Sequence, residues 1–205
     1  MMSRYTIIQL RPRNAISRDV FKTLNYLYTE VSNSVVNYGG LAYSITPWII
    51  LVLSNGIGES EHRNIFQHIR SHGIEARVAS TTSTNPVHAV LTAMKILATQ
   101  EFYFYNGVEK PYTIGIFAFK YSTVQFDFFS EITSQLRSYI EISQLVLATG
   151  GIPLSINLHR LVSVLREDSV SYIKDLVKHV NIGVGVDYKA VDALSKAEEN
   201  LLLSN

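Results

Sequence analysis

The chain has 205 residues, 47% of them hydrophobic and 17% charged, which excludes a largely disordered protein and supplies ample material for a core. A net charge of +1 gives no chain-wide field for holding nucleic acid or an anionic membrane, so any such contact must come from a local patch. Cysteine is absent, which removes disulfides, thiolate metal ligands and cysteine nucleophiles together and fits a cytoplasmic protein.

Tyr5–Leu10 reads as a β-rich run ended by Arg11-Pro12, because proline cannot donate to a ladder. Met1-Met2-Ser3-Arg4 passes straight into it, without the apolar stretch of a signal peptide. Behind Ser17 as N-cap, Val20, Leu24, Leu27, Val31 and Val35 recur at helical spacing. Asn37-Tyr38-Gly39-Gly40 follows, then Leu41–Ile45 and Trp48–Ser54 as a hairpin around Thr46-Pro47. The longest apolar run, Trp48–Leu53, is too short to cross a membrane. Asn55-Gly56 ends this strand, and His62, Ile65, Phe66 and Ile69 mark the inner stripe of the next helix. Ile74–Thr81 is a strand, and Asn85-Pro86 opens another helix with Val90, Met94 and Leu97 inward.

The second half repeats the first. Tyr112-Thr113-Ile114 answers Tyr5-Thr6-Ile7, 107 positions on, and Gly150-Gly151 answers Gly39-Gly40. Tyr112–Phe119 is a strand, and Phe126, Phe129, Ile132, Leu136 and Ile140 mark the inner stripe of a helix. Gln144–Ala148 and Ile152–Ile156 flank the glycine pair. Val170, Ile173, Val177 and Val180 mark a further helix and Ile182–Val186 a strand, and Asp187 caps a last helix carrying Val191, Leu194, Ala197 and Leu201. The order strand-helix-strand-strand-helix-strand plus a trailing helix predicts an α+β protein of two tandem ferredoxin-like domains, 1–104 and 105–205. The junction falls near Phe102–Gly107.

This arrangement resembles the palm, or nucleotidyl-cyclase-like, domain, and its tandem form resembles the archaeal GTP cyclohydrolase III family. The residues that carry the likeness are Thr6-Ile7-Ile8-Gln9-Leu10, Gly40-Leu41 through Asn55-Gly56-Ile57, His62-Arg63 with Ile69-Arg70, Gly150-Gly151, and Gly183-Val184-Gly185-Val186. The resemblance implies hydrolytic opening of the GTP ring with divalent metal, and carboxylates after the first strand and in the hairpin turn of each copy. Those places here read Arg11, Thr46-Pro47-Trp48-Ile49, Ala118-Phe119-Lys120 and Ile152-Pro153. None offers a carboxylate, so the expected reading has no catalytic residues, no metal and no cofactor. It is a degenerate paralogue acting in nucleotide sensing or in protein interaction and assembly.

Two alternatives stay open. One is metal-free binding of a phosphate-bearing nucleotide or RNA by Arg11, Arg13, Asn14 and Lys120 with Gly150 and Gly151, since guanidinium groups match phosphate geometry; the bland counterpart is a solvated loop. The other is an active cyclohydrolase that recruits Asp127 or Glu131. His68 and His72 share one helix face at a chelating spacing, yet they fall off the apolar stripe with no third ligand nearby, and read as solvent-side histidines. Phe102-Tyr103-Phe104-Tyr105 reads either as a base-stacking platform or as strand and interface. Gly183 and Gly185 mark a ligand approach or tight helix packing. The high apolar and aromatic content, and the resemblance, point to a homo-oligomer with Trp48 or Phe102, Tyr103, Phe104 and Tyr105 at an interface, or to a place in a larger protein or ribonucleoprotein complex, away from membranes.

Overall fold

The computed structural model describes residues 2–11, 18–119, 128–157, 160–177 and 180–203. The chain divides into two compact units, one of 1–84, 88–111 and 188–191, the other of 85–87, 112–187 and 192–205. Unit 1 holds strands β1 (Ser3–Arg11), β2 (Leu41–Thr46), β3 (Ile49–Leu53), β4 (Glu75–Ser83) and β5 (Phe102–Phe104). Its helices are α1 (Arg18–Asn37), α2 (Glu59–Ser71) and most of α3 (Pro86–Leu97). Unit 2 holds β6 (Tyr112–Phe119), β7 (Ile152–Ile156), β8 (Arg160–Leu165) and β9 (Val180–Asp187), with helices α4 (Phe128–Ala148), α5 (Val170–Leu176) and most of α6 (Ala190–Leu203).

The two sheets run β2-β3-β1-β4-β5 and β7-β8-β6-β9. Every neighbouring pair is antiparallel except β5, which adds to β4 in parallel from Val78↔Phe102 to Ser80↔Phe104. With a helix between the first and second strands and another between the third and fourth, this is the ferredoxin-like order in both units. The fold is α+β.

Side-chain alternation decides what each face of the first sheet carries. Ile8 and Leu10 of β1 join Ile50, Val52 and Val78 in a core closed by Leu24, Leu27, Val31 and Val35 of α1 and Ile65 and Ile69 of α2. Tyr5 and Ile7 point the other way, beside Leu51, Leu53 and Ala79, and all five are buried. Over β4 that second face meets α3, where Thr81 Oγ1 donates to Ala89 O at 3.0 Å. In unit 2, Phe117, Leu161 and Leu165 pack with Tyr139, Ile142 and Val146 of α4 and Ile173 of α5.

Several local expectations change. Each glycine pair ends a helix, including Gly150-Gly151, which the sequence placed between two short runs. Gly40 N donates to Val35 O at 3.0 Å and Gly39 N to Val36 O at 2.8 Å, and Gly151 and Gly150 do the same with Val146 O (2.8 Å) and Leu147 O (3.0 Å). These are Schellman caps, which need the left-handed φ of +81° at Gly39 and +83° at Gly150. The second glycine of each pair leaves room for a passing strand, because a Cβ would stand 2.6 Å from Leu53 O at Gly40 and 2.6 Å from Val164 O at Gly151. Gln144–Ala148 is accordingly the last turn of α4.

Three stripes are also rotated. α4 turns Tyr139, Ile142 and Val146 inward and leaves Leu136 and Ile140 exposed. α3 and α6 bury the expected Leu97, Ala197 and Leu201, but beside them Ala89, Ala93, Ala190 and Ala193 rather than Val90, Met94, Val191 and Leu194. A helix lying close to a sheet selects the smallest side chains for its contact line, so the larger apolar residues mislead a reading by periodicity. The closeness is explicit at β9: a Cβ at Gly183 would lie 2.0 Å from Ala197 O, and one at Gly185 2.0 Å from Ala193 O. Tight helix packing explains both glycines. Asp187 closes β9 and accepts from Lys196 Nζ at 2.6 Å, and α6 begins at Ala190.

Candidate functional site

The end of β1 and the β2–β3 turn lie side by side in unit 1, where Leu10 N donates to Trp48 O at 2.8 Å. Register slips between Ser44 and Thr46, and Trp48 N donates to Thr46 Oγ1 at 3.2 Å, which shapes the turn. Trp48 is half-buried against the core and meets Phe21 of α1, ring centroids 5.9 Å apart. Arg11 is exposed beside this turn. A divalent cation here would need hard oxygen donors. The residues supply an indole, a proline, a guanidinium and a hydroxyl already engaged, so they do not fit the metal that the family resemblance implies.

In unit 2, β7 ends at Ile156 and its partner β8 begins at Arg160, so the hairpin connection falls later than the expected Ile152-Pro153. The sequence between them, Asn157-Leu158-His159, again holds no carboxylate, and Asn157 Oδ1 accepts from Arg160 N at 2.8 Å. The error came from taking the glycine pair as the turn, which left β8 unassigned. Among the described residues, no group of three or more His, Asp or Glu is placed to hold a metal ion.

A second place in unit 1 went unnoticed in the sequence. The helix-covered face of its sheet is apolar from Ile8 to Leu10 and polar at the other end of the same strand. Arg4, Thr6, Ser54, Ser80 and His62 are all buried there. Thr6 Oγ1 lies 2.8 Å from both Ser54 Oγ and His62 Nε2, and His62 Nδ1 lies 2.7 Å from Gly58 O. A carbonyl only accepts, so the proton sits on Nδ1 and the neutral Nε2 accepts from Thr6. Burial drives the His62 pKa down to about 4, against the Gly58 carbonyl, which favours the charged form; the Arg4 charge lowers it further, and Glu61 and Glu109 raise it.

Arg4 carries the rest of the cluster. Its Nε is paired with Glu109 and its Nη1 donates to Ser80 Oγ at 3.1 Å and Tyr105 O at 2.6 Å. The guanidinium lies 4.3 Å from the Phe104 ring centroid, and His62 stands 5.1 Å from that ring. Glu109 also accepts from Gly56 N at 2.8 Å and from Tyr188 Oη. Above the pair opens a cleft of about 460 Å³, bordered by the Gly56-Ile57-Gly58 backbone, Phe104, Asn106 and Tyr188. The only signal in sequence was an arginine at a strand position where apolar residues follow, and its acid partner stands 105 positions away.

Other expected residues are placed as follows. Arg13, Asn14 and Lys120 lie outside the described residues, as does Asp127, and nothing is described of the Glu131 side chain. Gly150 and Gly151 are accounted for by the helix cap. Phe102 packs on Phe66 and under the Arg63 guanidinium, 4.3 Å from its ring centroid, and Tyr103 and Phe104 are half-buried in β5, with Tyr105 exposed just beyond it. His68 and His72 are exposed, their rings 4.8 Å apart, with Glu30 3.8 Å from His68.

The fold and site define a protein with two palm-type, ferredoxin-like sheets, in which the position expected to hold metal is apolar and cationic. The GTP cyclohydrolase III family model matches residues 8–109. No curated protein matches the sequence. Among solved structures, the chain is similar to a mutant chlorite dismutase from Candidatus Nitrospira defluvii (11% identity, TM-score 0.28, 97% of this chain and 95% of that one). It is also similar to a bacterial light-regulated adenylyl cyclase (10% identity, TM-score 0.33, 91% and 73%). At those scores the fold assignment rests on the strand order above. No helix among the described residues is long and apolar enough to cross a membrane.

Proposed function

We propose that this chain is a GTP cyclohydrolase III relative that has lost metal-dependent ring opening and serves as a nucleotide-sensing or protein-interaction and assembly module. One observation carries the reading. The end of β1 and the adjoining turn, where the family resemblance implies metal-holding acids, present Arg11, Thr46, Pro47 and Trp48 instead. Tryptophan and proline offer no ligand, and arginine repels a cation. Incubation of the pure protein with GTP and Mg²⁺ or Mn²⁺ tests it by chromatography of the products. Unchanged GTP is expected. A ring-opened formamidopyrimidine would overturn the reading and direct attention to Asp127 and Glu131.

A second reading is favoured by Arg11, exposed at the end of β1, since a guanidinium matches phosphate geometry. It is metal-free binding of a phosphate-bearing nucleotide or RNA, with Arg13, Asn14 and Lys120 as further contacts. Calorimetry with GTP in EDTA, and RNA retardation at low salt, should show binding that weakens with salt and with Arg11→Ala. Absence of both retires it. A cytoplasmic location, an archaeal source and a homo-oligomeric state accompany the proposal, as do domains bounded at 1–104 and 105–205.

A further inference from the structure

The two sheets share one strand order up to β4 in unit 1 and β9 in unit 2, and there they part. In unit 1 the outer edge of β4 is covered by β5, which adds in parallel, whereas no strand among the described residues pairs with the outer edge of β9. The two edges correspond residue by residue, because Tyr5 pairs with Thr81 and its repeat Tyr112 with Asp187. Val78 and Ser80 are thereby matched by Val184 and Val186. Val78 N donates to Glu101 O at 2.8 Å and Tyr105 N donates to Ser80 O at 3.0 Å, so the main chain of both residues faces the β5 side. Along an antiparallel strand the N–H and C=O of one residue point to the same neighbour, and the direction alternates. Asn200 Nδ2 donates to Val184 O at 2.8 Å, which places the main-chain groups of Val184, and of Val186 two residues on, away from β6.

Exposed sheet edges are normally blunted by lysine, proline or a bulge. β9 uses none of these: it reads Val-Asn-Ile-Gly-Val-Gly-Val-Asp and pairs with β6 without a register shift. Val186 is 47% exposed, on the face where Ile182 packs against the core of unit 2. On the corresponding face of unit 1, β5 lays Phe102 against Phe66 and Phe104 beside His62. We infer that the outer edge of β9 binds an extended segment of a partner protein, parallel to the strand, hydrogen-bonded to Val184 and Val186 and covering Val186 with large apolar or aromatic side chains. In strand addition of this kind main-chain bonds supply affinity and alternate side chains supply specificity. The occupant follows from unit 1, where the matching edge takes Phe102-Tyr103-Phe104 in parallel. A second copy of β9 does not reproduce that geometry, since a two-fold contact would set the strand antiparallel to itself. The inference rests on the protein-interaction part of the proposal above and gives it a place. The two tests read different events, GTP products there and peptide binding here, so either can fail alone.

The probe is a synthetic peptide with the sequence Gln100–Asn106, acetylated and amidated, titrated into the ¹⁵N-labelled full chain. In the free chain the Val184 and Val186 amides should exchange with solvent faster than those of Gly183 and Gly185, which face β6. The peptide should shift both valine amides and slow their exchange by about tenfold or more, leaving Val78 and Ser80 unmoved behind their own β5. Val186→Pro removes an outward donor while sparing the β6 ladder, and should abolish binding with an unchanged circular dichroism spectrum. The peptide carrying Tyr103→Pro should not bind the unmodified chain, because that residue's N–H faces the edge it joins. Absence of any shift at Val184 and Val186 overturns the inference, as do shifts at Val78 and Ser80 instead, or binding that survives Val186→Pro. Protection of the valine amides in the free chain that disappears on dilution assigns the edge to a second copy and also overturns it. Should Val186→Pro unfold, the Tyr103→Pro peptide decides: binding as tight as the parent's refutes the docking.

Discussion

The buried His62 should make the stability of unit 1 strongly acid-sensitive. In the folded state its pKa is about 4, depressed first by burial, whereas an unfolded chain leaves it at 6.5. The folded state therefore favours the neutral ring. Its contribution is complete above pH 6.5, declines as pH falls through the window between 6.5 and 4, and is gone below 4. A difference of 2.5 pKa units at 1.36 kcal/mol each amounts to about 3 kcal/mol in all, with about 2 kcal/mol lost by pH 5. Protonation also strikes the geometry: Nε2 becomes a donor facing Thr6 Oγ1, and a positive charge enters a cluster that already holds Arg4. Urea unfolding at pH 7.5, 6, 5 and 4 should be run on the unmodified chain and on His62→Gln, which keeps an amide near the Nε2 position without titrating. The difference between the two stabilities isolates His62 from carboxylates common to both. That difference should shrink by 2 to 3 kcal/mol on acidification, and the His62 ring proton resonance should not titrate above pH 5. A pH-independent difference, or a ring that titrates near 6.5, would refute the reasoning.

Two other expectations follow from packing and pairing. Removing the acid from the Arg4–Glu109 pair by Glu109→Ala strands a guanidinium that is 2% exposed, and should cost about 3 kcal/mol in chemical unfolding, with Glu109→Gln costing less; a loss under about 1 kcal/mol would mean that Ser80 and Tyr105 suffice for Arg4. Gly185→Ala forces a Cβ to within 2.0 Å of Ala193 O and should lower the melting temperature by more than Gly73→Ala, where nothing lies within 4 Å and only the φ of +73° resists. The first should cost about 2 kcal/mol or more through overpacking, the second about 1 kcal/mol through backbone strain; equal effects would contradict the close approach of α6 to β9.

Much of the architecture was legible along the chain because it is written in local chemistry. The internal repeat, the strand runs Tyr5–Leu10 and Tyr112–Phe119, and the Leu24–Leu27–Val31–Val35 stripe follow from side-chain period, and Asn85-Pro86 from the donor that proline lacks. The absence of carboxylates at Arg11 and Trp48 is likewise a property of sequence, and the structure adds that β1 and the turn lie side by side. What the sequence could not determine depends on partners distant along the chain. Only the folded sheet shows that glycine pairs 39–40 and 150–151 cap helices, because the second glycine is required by a strand that passes it. Only packing distance explains why Ala193 and Ala197, not Val191 and Leu194, face Gly183 and Gly185. The Arg4–Glu109 pair and the neutral His62 beneath it exist because tertiary structure excludes water from polar groups drawn from separate parts of the chain, and burial of that kind leaves no period in the sequence to be read.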